Sequence, residues 1–344
     1  MCASPDVRLL VMFGKPPLDP ARRHVPAAPA LPTPTRAFPE AHLIPLPGTD
    51  PEDVVVGTDG MLYCGLAGGA IVRVHPDTHR SAIVATTGGR PLGLEPHGDG
   101  LLVCDAHRGL LRVDPATGHV ATLVAHVDGS PLRFCSNAAV APDDSIWFTE
   151  SSTRFGFAHF MGAFMEHRPS GRLLRRDADG TVAVVLENLD FPNGLTLTPA
   201  GDALILVETA GYRISRIDLA APQNPPHVLA DNLPGFPDNL SVFRDGRAWV
   251  AFTNPRSRDL DRSGHLPAVV RKLIWQLPER WIPAPDDIVW LRAIDTDGRV
   301  VEDLHAVRPD YEMATGVVEH GGRLYAAGLR RSSLLCLDLR DTAT

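Results

Sequence analysis

Few residues in this chain combine a type and a spacing suited to chemistry. In "DFPNGLTL", residues 190–197, Pro192 fixes φ and Gly194 admits φ > 0, which predicts Asn193 on a tightly specified turn. An Asn-Gly pair is ordinarily a hairpin, so a firmly held amide takes its meaning from what surrounds it. "CDAHRGL" places Asp105 and His107 at a strand end that could face a channel, against the plainer reading of a packed or solvated His. "FGFAHFMGAFMEH" contributes His159, Met161, Phe164, Met165 and His167. Their mixed spacing fits an apolar wall of a substrate pocket and equally a packed loop. Ser151 and Ser152 follow "FTE" without a G-x-S-x-G elbow, which argues against a serine-hydrolase triad. The five cysteines form no C-x-x-C or Cys/His cluster, so buried thiols are expected rather than zinc or disulfides.

These side chains need elements to place them. The 32 prolines and 30 glycines are spread along all 344 residues, which favours many short strands joined by turns. Six segments share one plan of Gly/Asp turn, apolar strand, gap and second strand. The plan is plainest in "GTDGMLYCGLAGGAIVRVHP", "HGDGLLVCDAHRGLLRVDP", "TPAGDALILVETAGYRISRIDL" and "EHGGRLYAAGLRRSSLLCLDL". The turn glycines Gly60, Gly100, Gly201 and Gly246 are 40, 101 and 45 residues apart, and the long gap holds two units, one turning at Asp144. Such a period, with four strands per unit, marks a β-propeller blade. The expected fold is all-β, a six-bladed β-propeller over residues 40–344 behind a proline-rich extension at 1–39. The strand near "HLIPLP", residues 42–47, is expected to close the ring by joining the last blade.

One insertion breaks the period, between "VAFTN" and "IVWLRAIDTDG" in the fifth blade. Leu266, Val270, Leu273 and Leu277 fall there at helical spacing, with Pro267 as a first-turn residue. A helix packed on one blade and a lid over the channel both fit, and Arg271, Lys272 and Trp275 also suit a lipid surface. The net charge of -8 leaves no footprint for nucleic acid and is compatible with a cation or a neutral substrate. The run "VRLLVMF" has no basic leader or cleavage site and is too short to span a bilayer. No stable membrane anchor and a cytoplasmic location are therefore expected.

Taken together, "GGRPLGL", "CDAHRGLLRVDP", "IWFTESS", "FPNGLTLTPAGDALILVET", "LPGFPDNLS" and "EHGGRLYAAG" resemble the strictosidine synthase-like and gluconolactonase (senescence marker protein) superfamily of six-bladed propellers. The adipocyte plasma membrane-associated protein branch is the most similar. The resemblance implies a calcium ion in the central channel, with Glu52, Asn137, Asn193 and Asp238 at the ligand positions. Ca²⁺ accepts amide oxygens beside carboxylates, and another divalent cation would suit the same donors. On this reading Asn193 is fixed because its oxygen points at a metal. Two departures stand out. The family usually has Asn-Asp where this chain has Asn137-Ala138, which bears on acid–base chemistry near the ion. Thr315 stands where strictosidine synthase carries its amine-activating glutamate, so a condensation of that kind is not expected.

The function that the resemblance implies is calcium-dependent hydrolysis of lactones or aryl esters, with Asp238 or Glu52 as the catalytic carboxylate and a small-molecule substrate in the channel. Weaker substrate-binding candidates are Asp105, His107, Phe164, Met165 and Thr315. A non-hydrolytic biosynthetic enzyme (cyclisation, isomerisation or rearrangement) and a non-enzymatic ligand-binding propeller remain alternatives on the same fold.

Overall fold

The computed structural model describes residues 14–278 and 286–340. The run "VRLLVMF" and Cys2 lie outside the described residues. Six four-stranded antiparallel sheets form six blades, plus a short hairpin of His126–Val127 with Ser130–Pro131. The innermost strands of blades 1 to 6 are Val54–Val56, Pro91–His97, Cys135–Val140, Pro192–Leu197, Gly235–Leu240 and Ala314–His320. Each contacts the next, and the first contacts the sixth, so the ring is closed. The closing strand is Ala41–Pro45, which completes blade 6 by pairing with its outer strand from Ala41↔Leu337 to Pro45↔Ser333. This strand thus covers an edge that would otherwise be open.

Alternating strands present one apolar row to each neighbouring blade, and the core divides accordingly. Six apolar clusters fill the six interfaces between blades, as with Tyr63, Val103 and Leu111 between blades 1 and 2 or Trp249, Tyr311 and Leu335 between blades 5 and 6. No blade buries both its faces alone, which is why the units come as a closed set. The turns behave as their residues require. Gly60, Gly201, Gly246 and the non-glycine Asp144 all take positive φ, whereas in blade 2 the left-handed residue is Gly98 and Gly100 already lies in the strand.

Among the described residues three helices depart from the propeller plan. Helix α1, Met161–Glu166, follows a 3₁₀ turn at Phe157–His159 and interrupts blade 3; α2, Arg258–Ser263, and α3, Ala268–Trp275, form the insertion in blade 5. Pro267 caps α3 one residue ahead of the first-turn place expected of it, and the apolar stripe is not the buried face. Leu273 is 66% exposed and Leu277 40%, while Arg271 and Trp275 are the buried residues of α3. The reason is what α3 meets, which is largely backbone carbonyl. Arg271 donates to Met165 O at 3.1 Å, Glu166 O at 3.4 Å and Ala21 O at 2.6 Å, and Trp275 Nε1 donates to Pro16 O at 2.8 Å.

A seventh apolar cluster joins Trp275, Phe164 and Met165 to Leu18, Leu92, Phe134 and Phe191. Leu92 lies in the inner strand of blade 2, and Phe134 and Phe191 immediately precede those of blades 3 and 4. The helices therefore cap one end of the ring, as a lid would, and residues 15–27 strap them down. Among the described residues no helix is long and apolar enough to cross a membrane.

Candidate functional site in the channel

The inner strands alternate in what they bring to the axis. Blades 1, 3 and 5 each supply two adjacent buried polar residues, Glu52-Asp53, Ser136-Asn137 and Asp238-Asn239. Blades 2, 4 and 6 each supply a glycine, at Gly93, Gly194 and Gly316. A Cβ on Gly93 would lie 2.5 Å from Ser136 O, and one on Gly316 2.6 Å from Asp53 Oδ1. The glycines let the polar strands come close enough for their side chains to meet.

Gly194 settles the question of the Pro-Asn-Gly stretch. Asn193 is not on a hairpin turn but in the inner strand Pro192–Leu197. The left-handed residue is Phe191, at φ 57°, and the pairing of Pro192 and Leu195 with the next strand shows an irregularity between them. Gly194 is required for closeness, since its Cβ would lie 2.7 Å from Asn239 Cα, Asp238 O and Leu240 N. All three are backbone atoms that cannot step aside. Gly194→Ala is expected to cost about 2–3 kcal/mol by overpacking, lowering Tm by about 5 °C. A thermal melt within 1 °C of the parent would show that the ring has slack there.

All four residues of the quartet are buried; Asn193 bonds Asp238 directly, and Glu52 and Asn137 are joined through Asn239. Asn193 Nδ2 donates to Asp238 Oδ1 and, at 3.3 Å, to Thr209 Oγ1. Its Oδ1 accepts the Ser136 hydroxyl at 2.8 Å. Asn137 Nδ2 donates to Asn239 Oδ1 at 3.0 Å, and Asn239 Nδ2 donates to Glu52 Oε1 at 3.2 Å. Asn239 thus ties blade 3 to the residue ahead of blade 1 across the channel. Thr315 does not stand as a free substrate contact; its hydroxyl donates to Glu52 O at 2.5 Å and fixes that backbone.

The electrostatics of this group are unbalanced. Burial, then Asp238 and Asp53, hold the Glu52 carboxyl well above the usual range. Burial and the charge of Asp53 push Asp238 up to about 8, against the Asn193 bond. Burial pushes Asp53 up to about 6, though Val54 N at 2.8 Å and Leu94 N at 3.0 Å donate to its two oxygens. Glu52 Oε2 is buried with no hydrogen-bond partner among the described residues. Three buried carboxylates with an orphaned oxygen are costly as anions unless a cation joins them. Among the described residues no group of three or more His, Cys, Asp or Glu is arranged to hold a metal. The quartet is of another kind, two carboxylates and two amides, and a hard divalent cation takes such oxygens. The donor types suit such an ion and Glu52 Oε2 is open to it, while Asn137 Oδ1 accepts the Ala138 N–H at 2.8 Å and Asn193 Oδ1 is bonded to Ser136.

The remaining candidates lie elsewhere. Asp105 is fully buried, and its carboxylate accepts Thr87 Oγ1 at 2.7 Å and the N–H groups of Arg90, His107 and Arg108 at 2.9–3.1 Å. It organises loops, while the His107 side chain is exposed. Phe164 and Met165 lie in the cap. Ala138 packs in the apolar core between blades 2 and 3. Cys64, Cys104, Cys135 and Cys336 are buried free thiols. Asn239, Asp53 and Arg90 are additions that the sequence motifs had not singled out.

Fold and site together define a closed six-bladed propeller with a carboxylate–amide cluster on its axis. The pattern of the family described as strictosidine synthase matches residues 137–222, and that of strictosidine synthase-like, N-terminal, matches 36–74. The adipocyte plasma membrane-associated protein of Salmo salar is 32% identical over 323 residues, covering 84% of this chain and 77% of its own length. Protein STRICTOSIDINE SYNTHASE-LIKE 4 of Arabidopsis thaliana is 28% identical over 303 residues, covering 84% and 79%. The chain belongs to the strictosidine synthase-like family. Among solved structures it is similar to a gluconolactonase of Xanthomonas campestris, with TM-score 0.63 and 19% identity over 92% of this chain and 98% of that one. It is also similar to regucalcin of Agrobacterium tumefaciens, described as calcium-binding, with TM-score 0.61 and 16% identity over 88% and 95%.

Proposed function

We propose that this chain hydrolyses lactones or aryl esters in its channel with the help of a bound divalent cation, Ca²⁺ in the first instance. The observation that carries the reading is the uncompensated cluster of Glu52, Asp53 and Asp238 with Glu52 Oε2 left without a partner. The names of the similar structures, a gluconolactonase and a calcium-binding protein, support it. Glu52, Asn137, Asn193 and Asp238 would hold the ion, the amides turning an oxygen inward. When bound, the ion supplies positive charge that polarises a carbonyl and steadies the oxyanion formed from it.

The chain's own groups do the rest. Asp238 accepts a proton from the attacking water as its oxygen bonds to the acyl carbon. The acyl C–O bond then breaks, and the proton passes from Asp238 to the departing oxygen, an alkoxide from a lactone or a phenoxide from an aryl ester. Asn239 orients Glu52 through Oε1 and leaves Oε2 free, Asp53 ties the inner strands of blades 1 and 2, and Thr315 fixes the Glu52 backbone. The aromatic cap over the strand ends limits water at the site.

The test uses δ-valerolactone and phenyl acetate in ¹⁸O-labelled water. Treatment with a chelator is expected to abolish turnover, Ca²⁺ to restore it, and label to enter the product carboxylate. Full activity after chelation overturns the metal requirement, and a product without label points to the non-hydrolytic alternative.

A further inference from the structure

Arg90 stands just ahead of the inner strand of blade 2 and is 4% exposed. Its position is set from several sides. Its N–H donates to Asp105 Oδ1 at 3.0 Å, its Nη1 donates to Asp50 O at 2.8 Å, and its guanidinium lies 5.0 Å from the centre of the Phe157 ring in the cap. Asp50 is two residues from Glu52, and the Arg90 charge opposes the upward shift of the Glu52 carboxyl. Yet Nε and Nη2 are both buried, and neither has a hydrogen-bond partner among the described residues.

Those two atoms are the edge by which several other arginines of this protein clasp carboxylates. Arg154 holds Glu166 through Nε and Nη2 at 2.7 and 2.8 Å, Arg213 holds Glu208 at 2.8 and 2.7 Å, and Arg256 holds Asp261 at 3.1 and 2.9 Å. Arg90 presents the same edge with no protein carboxylate on it. A planar guanidinium with two parallel donors matches a carboxylate and is costly to bury unmatched.

We propose that Arg90 is the anion-binding residue of the channel, and that the substrate carries a carboxylate in addition to the ester or lactone that is opened. The inference rests on the channel being the site of the proposed hydrolysis. Arg90 takes the carboxylate through Nε and Nη2, which fixes the distance from that group to the bond attacked beside Glu52 and Asp238. Phe157, stacked on the guanidinium, walls this subsite from the cap side, and Asp105 holds the arginine backbone.

The test is binding of glutarate and of its neutral counterpart glutaramide, by calorimetry in saturating Ca²⁺, to the full chain and to Arg90→Met and Arg90→Lys. Neither probe is hydrolysed, so the outcome does not depend on turnover. Glutarate is expected to bind about 30-fold more weakly to Arg90→Met and about tenfold more weakly to Arg90→Lys, which keeps the charge but has one prong. Glutaramide is expected to change less than threefold. If Arg90→Met does not fold, Arg90→Lys decides alone. Unchanged glutarate binding in a folded variant, or no glutarate binding by the parent, overturns the inference even if lactones are hydrolysed. Arg90-dependent glutarate binding sustains Arg90 as the anion-binding residue even if they are not, and only the ester or lactone on the same ligand then falls.

Discussion

Asp238→Asn is expected to melt higher than the parent in a chelator at pH 8, by about 5 °C, and to be far less active in Ca²⁺. The sign follows from the buried carboxyl. Asp238 titrates at about 8 in the folded chain but near 3.9 when unfolded. Below the lower value both states hold the proton and nothing is lost. As pH rises towards 8 only the folded state holds it, so the parent loses stability across that window and no further above it. Asparagine cannot ionise and escapes the loss, while its amide keeps the shape beside Asn193. A gain of about 2–3 kcal/mol, roughly 5 °C for a chain of this size, is a conservative share of the penalty. With Ca²⁺ at a hundred times its Kd the parent should gain about 2.7 kcal/mol, which closes the gap between the two melts. Turnover should fall about 10³-fold in Asp238→Asn, the scale of a lost general base. Asp238→Ala should lose ion and activity together. Variants that both melt early, bind Ca²⁺ as the parent does and turn over normally would make Asp238 a structural residue only.

The second large effect is on the ion itself. A cation entering the cluster must displace the proton that burial holds on Asp238, and Glu52 is shifted in the same direction. Ca²⁺ affinity is therefore expected to rise about tenfold per pH unit from about pH 6 to about pH 8 for the proton on Asp238, and more steeply wherever Glu52 also gives up its own. Calorimetry in two buffers of different ionisation enthalpy counts the protons released. An affinity flat from pH 6 to 8 would mean that the ion sits away from these carboxylates.

Much of the fold was legible because its signals are local. Period-two alternation, turn residues every 40 to 45 positions and a spare leading strand are properties of short segments, and each blade repeats them. The insertion shows where local reading fails. Spacing suggested a buried stripe of Leu273 and Leu277, but α3 turns Arg271 and Trp275 inward because the surface beneath it offers carbonyls of the strap and α1. The Asn-Gly pair misled in the same way, because Gly194 answers to a neighbouring strand rather than to its own turn. Asn239 was hidden because its partners, Asn137 and Glu52, lie 102 and 187 residues away. Arg90 sits in the motif "GGRPLGL", yet an unmatched guanidinium edge is a fact of geometry with no signature in residue order. The glycines at 93, 194 and 316 could have been found as a pattern, one in the inner strand of every second blade.

A crystal of the unaltered chain soaked in Mn²⁺, a divalent cation with a usable anomalous signal, gives the decisive measurement. One anomalous peak is predicted on the propeller axis, within bonding distance of carboxylate oxygens of Glu52 and Asp238 and of side-chain oxygens of Asn137 and Asn193. A well-diffracting soaked crystal with no peak there, or with its peak bound only by surface carboxylates, would contradict the account.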